Sequence, residues 1–267
     1  MAGKEGKMVT ESGKGRIIFP LDFPDLDKAK KYIEMLDGHV GLFKVGLELF
    51  VSVGPSALSM ISNRAKTTKI FLDMKFHDIP TTVKGAQRAA NFHGAEFITV
   101  HCDEGKPLLE AVVDSVQNGT KVLAITVLTS LSQQDLRDIG ISKEYQDPLE
   151  LVLHRARLAK RAGCSGVVCS GKEVKAVRAE FGKDFIVVVP GIRPSWGAVA
   201  DDDQKRIVTP YEAILNGADY IVVGRPIKNA EDPVKATDKI AKEIDQALEE
   251  KKNNSFPFAG GKVANFT

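Results

Sequence analysis

Eight short apolar runs alternate with longer amphipathic stretches along this chain of 267 residues, and this alternation constrains the fold more than any other feature. The runs are continuous and rich in Val and Ile, which is typical of strands buried on both faces of a parallel sheet. They cover residues 16–21, 41–45, 69–74, 96–101, 121–127, 166–169, 185–189 and 220–223.

Helical patterns follow the runs. The stretch 209–216 shows a helix start most clearly, because Thr209 can cap the helix, Pro210 suits its first turn, and Glu212 stands three residues after the Thr. Apolar residues at helical spacing predict the helices. These are 25–36, 54–65, 81–93, 106–116, 148–162, 173–181, 209–216 and 232–250.

Strands that alternate with helices imply a parallel sheet with right-handed crossovers. Eight such units between residues 16 and 250 predict a single-domain (β/α)₈ TIM barrel. An open doubly wound sheet is the alternative. Residues 1–15 are predicted to form a disordered N-terminal arm, and residues 251–267 a loosely ordered C-terminal tail.

The bulk composition is that of an ordinary globular protein. The chain is 43% hydrophobic and 27% charged, and its net charge of +2 is interspersed, which gives no sign of a nucleic-acid or membrane patch. The start of the chain lacks the apolar segment of a secretory signal. We therefore expect a cytoplasmic protein.

Cys102, Cys164 and Cys169 form no CxxC pair, so we interpret them as core residues.

A barrel of this kind carries its active site on the loops that follow the strands. That rule selects the polar residues and glycines at the strand ends as candidates. They are Asp22, Lys44, Asp73, Lys75, His77, Asp78, His101, Cys102, Asp103, Thr129, Ser130, Pro190, Gly191, Arg193, Gly224 and Arg225.

The last two strands each end in a glycine followed by an arginine, in VVVPGIRP (187–194) and YIVVGRPI (220–227). Glycine lets backbone amides approach an anion, and the guanidinium of Arg193 or Arg225 can bind phosphate oxygens in a bidentate way. Loops after strands 7 and 8 are the frequent phosphate site of this fold. The pattern predicts a phosphorylated small molecule as the ligand.

The third strand ends in two opposite charges, because Asp73 and Lys75 share one face of a strand with Phe71. At about 4 Å and an effective dielectric constant of about 20, such a pair is worth about 4 kcal/mol before desolvation. An ammonium group fixed beside a carboxylate can deliver a proton to a carbanion. A structural salt bridge at the barrel rim would leave the same sequence pattern.

The wider pattern resembles the orotidine 5′-monophosphate decarboxylase family, in its bacterial type. The DxKxxD core is shared with sister enzymes, whereas its HDIP continuation, together with PGIRP and VGRP, favours this family. The matching features are Asp22, FKVGLELF around Lys44, LDMKFHDIPTTV (72–83), TVLTSL (126–131), PGIRP (190–194), DQKR (203–206) and VGRPI (223–227).

The resemblance implies a reaction and a dimer. Lys75 would protonate C6 of the pyrimidine after carbon dioxide has left, and Asp73 would lie against the departing carboxylate. Asp78 would complete a charged network with Lys44. In a homodimer, Asp78, Ile79 and Thr82 would serve the neighbouring subunit's site.

The resemblance also implies the remaining substrate contacts. Asp22 and Lys44 would bind the ribose hydroxyls, and Thr129, together with Ser130, would contact the pyrimidine. Arg193, Gln204 and Arg225 would hold the phosphate, together with the backbone amides of Gly224 and Arg225. Pro190 would be a further substrate-binding residue.

No cofactor and no metal is expected, since neither a GxGxxG motif after strand 1 nor His/Cys metal spacing is visible. His77 and His101 are interpreted as structural. The rival enzyme is a metal-dependent sister, a 3-keto-L-gulonate 6-phosphate decarboxylase or a hexulose-phosphate synthase, in which Glu48 could bind the metal. A catalytically silent nucleotide-binding barrel is the other alternative.

One segment departs from the family pattern. PSWGAVADDD (194–203), before Gln204, is about two residues longer than is usual in bacterial members. We expect it to close over the phosphate as a lid. Trp196 within it is either a hydrophobic anchor for the closed lid or an incidental loop aromatic.

Overall fold

The protein folds as a closed barrel of eight parallel strands. A computed structural model describes residues 12–197 and 207–254. Each strand pairs with the next in chain order, and the eighth pairs with the first. The predicted TIM barrel is confirmed, and the open doubly wound sheet is wrong. The strands are β1 (Ile17–Pro20), β2 (Leu42–Val45), β3 (Lys69–Phe76), β4 (Ala95–His101), β5 (Lys121–Ile125), β6 (Gly166–Val168), β7 (Ile186–Val189) and β8 (Tyr220–Val222).

Helices surround the barrel at the predicted places. They are α1 (Leu26–Leu36), α2 (Leu47–Val53), α3 (Ser56–Arg64), α4 (Pro80–Phe92), α5 (Gly105–Asp114), α6 (Gln133–Asp138), α7 (Pro148–Arg161), α8 (Val174–Phe181), α9 (Pro210–Asn216), α10 (Arg225–Lys228) and α11 (Pro233–Asn254). Short 3₁₀ turns cover Lys14–Arg16 and Lys143–Tyr145. The capping box predicted at Thr209 is present, since its hydroxyl accepts from the amide of Glu212 and its amide donates to that carboxylate.

Three short helices were not predicted. The seven residues of α2, the six of α6 and the four of α10 cover two turns or less, which is too short for a helical period to show. Gly54, with a φ of 61°, separates α2 from α3.

The hydrophobic core has an inner and an outer layer. Inside the barrel, Phe97 packs edge-on against Phe71 and Tyr220, with ring centroids 5.8 and 5.2 Å apart. The larger outer layer lies between the strands and the helices. The inner layer consists of Ile18, Leu42, Phe71, Phe97, Leu123, Val188 and Tyr220. As predicted, the three cysteines are free and buried.

The ends of the barrel differ from the predicted boundaries. The chain already packs against the barrel at Gly13, whose amide donates to the Asp245 carboxylate at 2.6 Å. At the other end, α11 continues to Asn254 rather than ending at residue 250. The predicted arm therefore includes at least four residues, 12–15, that belong to the fold. None of the described helices is both long and apolar enough to cross a membrane.

Gly41 packs against the backbone of the first 3₁₀ turn, Lys14–Arg16. A Cβ at Gly41 would lie 2.1 Å from the carbonyl oxygen of Gly15. Gly41→Ala should lower the free energy of unfolding by about 1–3 kcal/mol, because backbone has to move. Gly85→Ala is the control, since Gly85 lies within α4 and a Cβ there meets no atom within 4 Å. That change should raise stability by up to about 1 kcal/mol. Urea unfolding measures both, and equal effects would contradict the packing described.

Candidate active site

A cavity of about 300 Å³ opens at the carboxyl ends of the strands. Nine of the residues that the family resemblance implies for the site line it, as does the candidate Gly191, and Gln204 lies outside the described residues. The nine are Asp22, Lys44, Asp73, Lys75, Thr129, Pro190, Arg193, Gly224 and Arg225. Apolar side chains complete the wall. They include Phe71, Ile125, Val127, Leu128, Val168 and Val188.

Four charged side chains of alternating sign form a row along one wall. Lys44 Nζ lies 3.4 Å from a carboxylate oxygen of Asp22 and 3.4 Å from Oδ2 of Asp73. Lys75 Nζ lies 2.9 Å from the same Asp73 oxygen. Asp73 is therefore held between two ammonium groups at the ends of β2 and β3, a row that we call the charged row.

Both central charges are stabilised by their neighbours. Burial would raise the pKa of the Asp73 carboxyl, but Lys44 and Lys75 outweigh this and hold that pKa below its ordinary value. Burial would likewise lower the pKa of Lys44, yet Asp73 and Asp22 raise it. The row therefore keeps Asp73 ionised and Lys44 protonated at neutral pH.

Thr99, which the sequence analysis missed, supports the row from below. This fully buried residue of β4 donates its hydroxyl to Asp73 Oδ1 at 2.9 Å and accepts the backbone N–H of Lys75 at 2.9 Å. One hydroxyl thus fixes both the carboxylate and the backbone that carries the ammonium group. A polar residue inside the apolar run of β4 was the available signal.

The backbone is irregular at Lys75. Its φ of 50° lies in the left-handed region, where residues other than glycine are uncommon. The pairing of β3 with β4 also shifts register between Leu72 and Phe76. Irregularities of this kind redirect side chains next to active sites. Phe71, Asp73 and Lys75 all reach the cavity, as the two-residue period predicted.

The loops after β7 and β8 bring two arginines, and the glycines that precede them, to the same cavity. Gly191 adopts a φ of 73°, and the amide of Arg193 donates to the carbonyl of Val208 at 3.0 Å. At Gly224, a Cβ would come within 3.0 Å of the Pro20 ring, so the loop after β8 lies close to β1. Both arginines line the cavity, where their guanidinium groups can bind an anion.

Four predicted residues do not line this cavity in the single chain. Asp78, Ile79, Thr82 and Ser130 are exposed. The Asp78 carboxylate accepts the amide of Ile79 at 2.6 Å at the start of α4. The titratable residues at the end of β3 therefore do not form one cluster within a subunit. They are Asp73, Lys75, His77 and Asp78.

The two histidines near the site contact carboxylates. His77 contacts Glu104, and His101 Nδ1 lies 3.1 Å from Asp103. In the parts of the chain that the structure describes, no three His, Cys, Asp or Glu side chains are placed to hold a metal ion. Glu48 is exposed on α2 and does not line the cavity.

Trp196, at the start of the segment predicted as a lid, contacts α11. Its indole N–H donates to Glu243 at 2.8 Å, and Lys239 Nζ lies 5.3 Å from the ring centroid. The ring itself is 42% exposed. Trp196 is therefore tied to α11 by a hydrogen bond and a cation–π contact. Residues 198–203 of that segment lie outside the described residues.

Fold and cavity together define a class: a (β/α)₈ barrel whose mouth combines a lysine–aspartate row with a pair of arginines suited to a phosphorylated ligand. Comparison with known proteins then gives the family. Residues 15–240 match the orotidine 5′-phosphate decarboxylase / HUMPS family. The chain belongs to that family.

Individual relatives agree with the family. The orotidine 5′-phosphate decarboxylase of Desulfosudis oleivorans is 47% identical over 236 residues, which cover 88% of this chain and 95% of the relative. The enzyme of that name from Gloeothece citriformis is 44% identical over 233 residues, covering 86% of this chain and 97% of the relative. A crystal structure of the Lactobacillus acidophilus orotidine 5′-phosphate decarboxylase superposes with a TM-score of 0.74 at 37% identity, covering 85% of this chain and 98% of that one.

Thr99→Val should remove the hydroxyl that supports the charged row. We expect the free energy of unfolding to fall by about 1.5–3 kcal/mol at pH 7, because a hydrogen bond to a charged group is lost. The pKa of Asp73 should rise, since one contact that lowers it is gone. A carboxyl with a lowered pKa stabilises the fold above its unfolded-state pKa and loses that contribution as the pH falls. The difference in free energy of unfolding between wild type and Thr99→Val should therefore be smaller below about pH 4 than at pH 7.

Thr237→Val is the matched control for this experiment. Thr237 is also fully buried, but its hydroxyl donates to the neutral carbonyl of Pro233 at 2.7 Å in α11. Its loss should cost about 1 kcal/mol at either pH. Urea unfolding at pH 7 and below pH 4 measures both variants. A Thr99→Val penalty that stays constant with pH would contradict the proposed link to Asp73.

Proposed function

We propose that this protein decarboxylates orotidine 5′-monophosphate to uridine 5′-monophosphate, the last step of de novo pyrimidine biosynthesis. The observation that carries the proposal is that the charged row, Asp22–Lys44–Asp73–Lys75, lines the same cavity as Arg193 and Arg225. The names of the relatives support the same reaction. A cytoplasmic location fits this role and stays a prediction.

The proposed substrate pose follows from the distribution of charge around the cavity. The phosphate binds Arg193 and Arg225, with the backbone of Gly224 and the side chain of Gln204 as further contacts. Pro190 shapes the same side. The ribose hydroxyls bind Asp22 and Lys44, which lie at the ends of β1 and β2. The pyrimidine then faces the loop after β5, which contributes Thr129 to the cavity wall and Ser130 beside it.

The chemical step needs a cation at C6 of the pyrimidine. When the bond between C6 and the carboxylate breaks, its electron pair stays on C6 in an orbital that cannot delocalise into the ring π-system. The Lys75 ammonium stabilises that negative charge and then transfers its proton to C6. Asp73 keeps Lys75 in position at 2.9 Å and lies against the departing carboxylate. Lys75 regains its proton from solvent.

Binding energy from the phosphate supports this step. Contacts to a part of the substrate that does not react can hold the reacting carbon against Lys75 and Asp73. The two arginines follow β7 and β8, and the charged row lies at the ends of β1, β2 and β3 of the same barrel, so the fold sets the distance between the two groups. Phosphate binding then orients the pyrimidine for proton transfer.

The reaction is proposed to need no cofactor, and the rival is a metal-dependent sister enzyme. That rival needs a further carboxylate beside Asp73, for which Glu48 was the candidate, and Glu48 is exposed outside the cavity wall. Orotidylate absorbance, followed with purified protein in excess chelator, separates the two. Full activity supports the proposal, whereas activity that returns only with a divalent cation supports the rival. A flat trace with retained nucleotide binding would indicate a silent barrel.

Lys75→Ala should abolish decarboxylation, because it removes the proposed proton donor. Affinity for uridine 5′-monophosphate should change by less than about tenfold, since the phosphate contacts remain. Lys31→Ala is the control, because Lys31 is exposed on α1, away from the cavity. Turnover is followed by absorbance and affinity by calorimetry. Near-normal turnover in Lys75→Ala would refute the assigned role.

We further propose a homodimer in which Asp78, Ile79 and Thr82 of each subunit complete the neighbouring subunit's site. The support is their position: all three are exposed in the segment that follows β3, and Ile79 is an apolar side chain left 65% exposed. Leu47 and Val51 of α2, which follows the neighbouring strand, are also exposed, at 54% and 79%. A second subunit over this face would cover apolar area and bring Asp78 to a site.

Mixing two inactive variants tests the shared site. Lys75→Ala and Asp78→Asn should each be inactive alone, because each damages both sites of its homodimer. After mixing and subunit exchange, about half of the dimers are hybrids with one intact site, so about a quarter of wild-type activity should return. Light scattering checks that both variants are dimers. No recovery from exchanged dimers would place Asp78 in its own subunit's site.

A further inference from the structure

Arg155, in the middle of α7, joins three elements at the barrel mouth. Its side chain is 11% exposed. One guanidinium nitrogen, Nη1, donates to the backbone carbonyl of Thr126 at 2.5 Å, just after β5. The other, Nη2, donates to Oδ2 of Asp103 at 3.0 Å, just after β4. A single side chain thus ties an outer helix to the ends of two neighbouring strands.

Thr126 begins the loop that forms one wall of the cavity. The residues that follow it, Val127, Leu128 and Thr129, all line the cavity. Thr126 is held a second time, since its hydroxyl donates to the carbonyl of Val168 at 2.7 Å. The loop is therefore fixed where it leaves the barrel.

The far end of this loop is fixed by a separate device. The amide of Ser132 donates to the Asp135 carboxylate at 2.7 Å, and the Ser132 hydroxyl accepts the amide of Asp135, forming a capping box at the start of α6. Arg155 contributes the fixation at the near end. Five residues, 127–131, lie between the two fixed points.

The carboxylate that orients Arg155 is itself well supported. Asp103 lies 3.1 Å from His101 Nδ1 in addition to its contact with Arg155. Burial would raise the pKa of Asp103, but the hydrogen bond with His101 and the charge of Arg155 lower it to about 2. Asp103 is ionised at neutral pH, so the pair with Arg155 persists there.

We infer that Arg155 is a positioning residue that holds the β5 loop against the base of the nucleotide. This inference rests on the proposed function, in which the phosphate binds at the ends of β7 and β8. The β5 loop lies across the barrel mouth from the end of β1, and it offers Val127, Leu128 and Thr129 to the other end of the ligand. Arg155 does not line the cavity and acts through Thr126.

Two ligands of the same phosphate chemistry separate positioning of the base from general damage. Uridine 5′-monophosphate contacts both the phosphate side and the β5 loop, whereas ribose 5-phosphate lacks the base. Arg155→Met should weaken uridine 5′-monophosphate about tenfold or more, because a charge-assisted contact that fixes the loop is lost. Ribose 5-phosphate should weaken less than about twofold, because its phosphate contacts are unchanged. Calorimetry measures both affinities without any turnover.

Arg157→Met is the matched control on the same helix. Arg157, like Arg155, donates two hydrogen bonds from its guanidinium group, but both go to the Glu180 carboxylate and this pair is exposed. Both ligands should bind this variant as they bind wild type. Asp103→Asn is a milder second variant, which keeps Arg155 and should shift uridine 5′-monophosphate affinity in the same direction by a smaller factor. Circular dichroism establishes that each variant is folded.

Equal weakening of both ligands in Arg155→Met, or no weakening of either, would overturn the inference. For orotidylate, the KM should rise more than kcat falls, since Lys75 and Asp73 are untouched. The proposed decarboxylation and the positioning role of Arg155 can be refuted by separate results. A wild-type protein that does not decarboxylate orotidylate ends the proposed function, whereas the ratio of the two binding affinities decides the role of Arg155 in either case.

Discussion

The carboxylate of Asp73, held between the ammonium groups of Lys44 and Lys75, is the interaction around which the barrel mouth is organised. Removing charges from water costs several kcal/mol per ion, and the cost is recovered only where partners and hydrogen bonds are well placed. Here the partners come from β2 and β3, and the hydrogen bond comes from Thr99 in β4. Three adjacent strands must be in register for the charges to be satisfied.

Closure of the barrel supplies that register. Each of the eight parallel strands pairs with its neighbours around the closed barrel, and aromatic rings such as Phe97 fill the interior below the charged row. The strands fix the positions of the charged side chains. At least two of the loops are held by side chains from the surrounding helices. Arg155 does this for the β5 loop, and Lys228 of α10 does it for the loop after β1, by donating to the carbonyl of Asp22 at 2.9 Å.

Much of this arrangement could be predicted from the sequence, for identifiable physical reasons. Parallel strands buried on both faces leave continuous apolar runs, and the two-residue period correctly placed Asp73 and Lys75 on one face. The role of Thr99 could not be predicted, because a threonine within a strand looks the same whether its hydroxyl meets a carboxylate or a carbonyl. The contacts of Arg155 could not be predicted either, because its partners are 29 and 52 residues away in the sequence. Asp78 is exposed in the single chain, so its proposed place in a neighbouring subunit's site rests on the family resemblance.

The left-handed backbone of Lys75 sets this residue apart from the rest of the strand that carries it. A residue with a side chain in that conformation typically costs about 1–3 kcal/mol, a cost that glycine would avoid. The fold accepts the cost at the position where an ammonium group must face the cavity. Under the proposed function, Lys75 marks a trade-off between stability and activity, because a backbone that costs the native state free energy carries the proposed proton donor.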